Sequence, residues 1–63
     1  RCAQKVGEEG VEVALAAVAN DSEELLGESA DLIYHLLIVL AARDLTLDRV
    51  IERLQQRHSA ESP

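Results

Sequence analysis

Apolar positions recur along the 63-residue chain at helical spacing, and no stretch alternates apolar and polar residues as a half-buried strand does. Two polar breaks divide the pattern. Asn20-Asp21-Ser22 precedes Glu23-Glu24, so Asn20 or Asp21 can cap a helix with a glutamate at the capping-box position. Arg43-Asp44-Leu45-Thr46 is the second break, with Thr46 as N-cap and Asp48 in the positive first turn. The pattern predicts helices over 3–19, 22–43 and 47–58, and a frayed tail from Ser59 to Pro63. The short first break makes the first two helices an antiparallel hairpin.

In the first predicted helix, Val6, Val13, Ala14, Ala17 and Val18 form the packing side. In the second, Leu25, Leu26, Leu32, Ile33, Leu36 and Val39 face inward, and the run HLLIVLAA is apolar nearly all round. A helix apolar on every side is buried on every side. One hairpin and one short helix cannot bury it. The expected fold is therefore all-α: one domain over 1–63, an antiparallel helical hairpin plus a third helix, assembling into a dimeric or higher helical bundle. Gly7 and Gly10 interrupt the first helix, and close helix approach would account for them.

Composition narrows the function. Twelve acidic side chains against six basic ones give a formal charge of −6, which argues against a nucleic-acid-binding face. A phosphate-bearing substrate would need cations to invert that field. The longest near-apolar run, Leu36 to Ala42, falls short of a bilayer span of about 20 residues, so no membrane partner is expected. Cys2 is the single cysteine, which fits a reducing, cytoplasmic setting without an intrachain disulfide.

The candidate chemistry lies in the carboxylates of KVGEEGVEV and GESADLIYHLL. At 100° per residue, Lys5, Glu8, Glu9 and Glu12 fall within about 100° of one another, on a face opposite the apolar stripe. Glu24, Glu28, Asp31 and His35 likewise share a face, beside the packing stripe of the second helix. Folding the hairpin at residues 20 and 21 brings Glu12 level with Glu28, Glu9 with Asp31, and Lys5 with His35. Four carboxylates at one level repel unless a cation separates them, and an oxygen-only set suits Mg²⁺ rather than zinc. Glu9, Glu12, Glu28 and Asp31 are thus the candidate metal ligands. Glu8 or Glu9 is the candidate proton acceptor, and Lys5 and His35 are candidate substrate contacts, His35 reading equally as a satisfied, partly buried histidine. The same residues read plainly would be a solvated acidic face with ion pairs one turn apart. Glu23, Glu24, Asp48 and Glu52 read as helix-start or surface charges. Arg49, Arg53 and Arg57 read as a solvated row or an anion contact.

KVGEEGVEV followed by ESADLIYHLLIVLAARDLTLDRV resembles the phosphoribosyl-ATP pyrophosphohydrolases of histidine biosynthesis, members of the all-α nucleotide pyrophosphohydrolase superfamily. Glu9 and Glu12 match the ExxE half of the superfamily's metal motif. Glu28 and Asp31 match the ExxD half, with fifteen residues between the halves. The resemblance covers about Lys5 to Arg57. It implies Mg²⁺-dependent hydrolysis of phosphoribosyl-ATP to phosphoribosyl-AMP and pyrophosphate, the second step of the pathway, by a dimeric helical bundle. It also implies a segment before the KVGEE helix, with a Ser-Tyr-Thr-like stretch at the substrate site, that these 63 residues do not include. A housekeeping nucleoside-triphosphate pyrophosphohydrolase would use the same four carboxylates. A non-enzymatic helical dimerisation module would leave them solvated.

Overall fold

The computed structural model describes residues 1–61, and side chains as far as Ser59. Three helices follow in order: α1 Cys2–Val18, α2 Ser22–Ala42 and α3 Leu47–Glu61. The all-α expectation holds, and the helix boundaries agree with the sequence reading to within a residue except at the C-terminal end. There α3 continues through Glu61, past the expected start of the tail at Ser59. No helix breaker precedes Pro63, and Ala60 and Glu61 are good helix formers. The remainder of the expected tail, 62–63, lies outside the described residues.

Both connections are built the same way. Asn20 takes φ 61° and Asp44 φ 59°, the left-handed conformation that Asn and Asp tolerate better than most side chains. The Asp21 amide then donates back to the Ala16 carbonyl at 3.2 Å, and the Leu45 amide to the Leu40 carbonyl at 2.8 Å. These bonds satisfy carbonyls that the helix ends leave without partners. Of the two candidate caps of α2, Asp21 is the one used: its Oδ1 accepts from the Glu24 amide at 3.1 Å. Thr46 caps α3, with its Oγ1 3.4 Å from the Arg49 amide.

Packing is concentrated between α1 and α2, the expected antiparallel hairpin, and α3 makes few contacts with either. The molecule is an open plate of 35 × 33 × 15 Å. Among the described residues only Ala16 is a buried apolar side chain, and the other buried residue is Glu9. The seam face of α1 is Val6, Glu9, Gly10, Val13 and Ala16. This corrects the sequence expectation at two points. Ala14, Ala17 and Val18 are exposed rather than packed, and Glu9 faces α2 rather than solvent. The reading by residue type put the stripe one position too far round, because it counted a carboxylate as an outward-facing residue. On α2, Leu25, Leu32, Leu36 and Val39 are half-buried as expected, whereas Leu26 and Ile33 are exposed.

The glycines are not explained by close packing either. A methyl group added at Gly7, Gly10 or Gly27 would meet nothing within 4 Å. All three have negative φ, so nothing local requires glycine. Gly27→Ala is expected to raise stability by about 0.5–1 kcal/mol through backbone entropy. Asp21→Ala is expected to lower it by about 1 kcal/mol through loss of the cap. Thermal or urea unfolding of the two variants measures both, and opposite signs are the expected result.

Candidate functional site

Register places the acidic residues. The connection between α1 and α2 has three residues, so the helices run antiparallel with little freedom to slide. Glu12 of α1 then meets Glu28 of α2, as expected. The two carboxyl groups stand close enough to favour a shared proton on Glu28. Glu24, one turn before Glu28, adds to the crowding. The Glu28 carboxyl is pushed up to about 7 by the hydrogen bond with Glu12, by desolvation and by the charges of Glu12 and Glu24. The pair opens on a cleft of about 390 Å³ lined by Glu12, Leu15, Ala16, Ala19, Asp21, Glu24 and Glu28. Its lining is part apolar, from Leu15, Ala16 and Ala19, and part acidic.

Glu9 lies one turn further from the connection. Its Oε1 accepts from Nδ1–H of His35 at 2.7 Å, with the two side chains 11% and 21% exposed. The same Nδ1 is 3.0 Å from the Asp31 carbonyl oxygen, which lies one turn back on α2. Both neighbours are acceptors, so the proton sits on Nδ1. The sequence register paired Glu9 with Asp31 and Lys5 with His35. Glu9 instead meets His35, and the Asp31 side chain is exposed. Tyr34 is also exposed, with its ring edge-on to the imidazole at a centroid distance of 5.2 Å.

Lys5 and Glu8 stand outside this seam. Lys5 Nζ is 3.9 Å from Glu8 Oε1, and Gln4 Nε2 donates to Glu8 Oε2 at 2.9 Å, all on the solvent side of α1. Arg49, Arg53 and Arg57 line a shallow groove on α3 with Leu45, Val50 and Leu54, and Arg49 lies 3.5 Å from Glu52. The sequence reading left Glu24 out of the site. Its spacing from Glu28, four residues on the same helix face, was the available signal.

Among the described residues no three His, Cys, Asp or Glu side chains already converge on one point as a metal centre. The fit to a divalent cation rests on the carboxylate pair. Glu12 and Glu28 crowd each other enough to favour a proton between them, and an oxygen-preferring cation can take that proton's place.

The sign of the pH dependence follows. Below its ordinary value of 4.5, Glu28 carries a proton in the folded and the unfolded chain alike. Between 4.5 and about 7 only the folded chain holds that proton, so stability falls as pH rises through this window. Above it the ionised pair is strained by repulsion. Melting temperature measured without divalent cations should therefore decline from pH 4.5 to 7 by more in the wild type than in Glu28→Gln, which removes the titrating group.

The family model described as phosphoribosyl-ATP pyrophosphohydrolase matches residues 1–58. The histidine biosynthesis bifunctional protein HisIE of Vibrio cholerae is 64% identical over 58 residues, 92% of this chain and 28% of that protein. The proteins of the same name from Yersinia pestis and Campylobacter jejuni are 62% identical over 58 residues and 58% identical over 60. They are covered to 28% and 29% of their lengths, by 92% and 95% of this chain. The chain thus spans less than a third of the length of the curated relatives it matches. With the family model matching residues 1–58, across α1 and α2 and most of α3, the chain belongs to the phosphoribosyl-ATP pyrophosphohydrolase family.

Proposed function

We propose that the chain supplies the carboxylate site for Mg²⁺-dependent hydrolysis of phosphoribosyl-ATP to phosphoribosyl-AMP and pyrophosphate, within histidine biosynthesis. The observation that carries this reading is the Glu12–Glu28 pair, set level across two helices in the lining of a cleft. An acidic cleft repels a triphosphate by itself. Mg²⁺ bound there would neutralise the phosphates and lower the cost of ionising a water. Glu9, Glu12, Glu28 and Asp31 are the residues that would hold it. Glu12 and Glu28 are in contact, Glu9 is in the seam one turn away, and exposed Asp31 is free to turn toward them.

The reaction adds water across the bridge between the α- and β-phosphates. The water oxygen bonds to one phosphorus, the bridging oxygen leaves with the other phosphate, and a carboxylate takes the water's proton. Little covalent work falls to the protein, because such transfers depend on positioning and charge. Glu9 already serves His35, which leaves Glu8, on the outer face of α1, as the other candidate to take that proton. Lys5, 3.9 Å from Glu8, brings a cation to the outer face of α1 for the leaving pyrophosphate. A cytoplasmic setting accords with this pathway and with the free thiol of Cys2.

The same reading includes a homodimer. Leu26, Ile33, Tyr34, Leu37 and Ile38 of α2, and Leu47, Ile51 and Leu54 of α3, are all more than a third exposed. By length and composition alone α2 could cross a membrane. Glu28 and Asp31 lie in its middle, though, where charge in lipid is costly, and Glu28 is engaged by α1. A second copy is the occupant that suits these faces.

Two measurements test the proposal. Pyrophosphate release from phosphoribosyl-ATP by the full-length protein should require Mg²⁺ and fall by about 100-fold or more in Glu12→Gln and Glu28→Gln, the scale of losing a metal ligand. Full turnover in both variants would overturn the assignment, and release from dUTP or dCTP in place of phosphoribosyl-ATP would reassign the substrate. Sedimentation equilibrium should give twice the chain mass, and a monomer at micromolar concentration would remove the dimer.

A further inference from the structure

We propose that His35 is a positioning residue for Glu9 rather than a substrate contact, and that it fixes the direction in which the Glu9 carboxylate meets the cation. The inference rests on the metal-site reading above. Three observations carry it. The imidazole is anchored on its own helix, with Nδ1 3.0 Å from the Asp31 carbonyl oxygen. From that anchor it reaches across the seam to Glu9 Oε1 at 2.7 Å, a short, charge-assisted distance. Glu9 is also one of only two buried residues among those described, so its carboxylate has few other partners to hold it.

The consequence is geometric. A glutamate has three rotatable bonds, and a glutamate on an open helix face samples many carboxylate positions. With Oε1 committed to Nδ1–H, the carboxylate plane is fixed and Oε2 is the oxygen left to face a cation. No buried side-chain oxygen or nitrogen among the described residues lacks a hydrogen-bond partner, so Oε2 is not sealed away from ligands. His35 thus acts on the metal through Glu9, the arrangement by which outer partners orient ligating carboxylates. Its Nδ1 is saturated by Glu9 and Asp31, which leaves that atom nothing to offer a phosphate.

The test uses the full-length protein carrying His35→Ala and, separately, His35→Asn. The asparagine places an amide nitrogen near the position of Nδ1 and can still donate to Glu9. The first readout needs no turnover: the Mg²⁺ concentration that gives half of the maximal thermal stabilisation. In His35→Ala it should rise by about tenfold or more, the usual cost of losing an outer-shell partner. In His35→Asn it should recover most of the way to wild type. At saturating Mg²⁺, KM for phosphoribosyl-ATP should stay within about twofold of wild type. A raised KM with unchanged Mg²⁺ dependence would overturn the proposal and make His35 a substrate contact. A lowered melting temperature with unchanged Mg²⁺ dependence would overturn it too and leave a structural role alone. If His35→Ala does not fold, His35→Leu, which fills the space without a donor, takes its place: a midpoint raised about tenfold supports the proposal and an unchanged one overturns it. Wild-type protein without any Mg²⁺-dependent stabilisation would remove the metal-site reading itself, a failure separate from loss of the His35 effect alone.

Discussion

The three-residue connection between α1 and α2 is the constraint on which the site depends. Asn20 reverses the chain in the left-handed conformation, and Asp21 starts the next helix by holding the Glu24 amide. So short a link fixes how far the helices can slide past one another. A shift of one helical turn would separate Glu12 from Glu28 and Glu9 from His35 together. The register of these side chains is therefore set by the connection, whose Ala19 and Asp21 also line the cleft.

The seam that results is unusual in being partly ionic. A position where a small helical hairpin would ordinarily place Leu or Val holds Glu9, and His35 supplies the partner that makes the burial tolerable. Replacing both by apolar residues of similar volume would be expected to cost the hairpin little, since buried polar pairs seldom contribute much net stability. The pair makes sense as an arrangement held for the site. The architecture is open as well: among the described residues, apolar burial is confined to Ala16 and a set of half-buried side chains.

Much of this was legible in the sequence. Three helices, both N-caps and the level pairing of Glu12 with Glu28 follow from helical period and turn chemistry. What failed did so for identifiable reasons. Sorting residues by polarity assigns every carboxylate to solvent, and so it cannot find Glu9 in the seam. It also placed Val18 and Ile33 against the partner helix, when each faces outward. The level-pairing rule treats side chains as points, whereas a histidine reaches more than one residue along the axis, which is how His35 meets Glu9 rather than Lys5. Glycine spacing suggested contact where the structure leaves room.

The detachment of α3 has a consequence of its own. A 15-residue helix in water is at the margin of stability, because nucleation is costly and few bonds repay it. Thr46 and the turn at Asp44 help to start it, but little of its apolar stripe is covered by α1 or α2. Its backbone amides should accordingly exchange with solvent deuterium far sooner than those of the hairpin seam, in step with how often the helix unravels. Anything that settles on Leu47, Ile51 and Leu54 slows that exchange. The helix is thus a built-in gauge of its own surroundings, readable amide by amide.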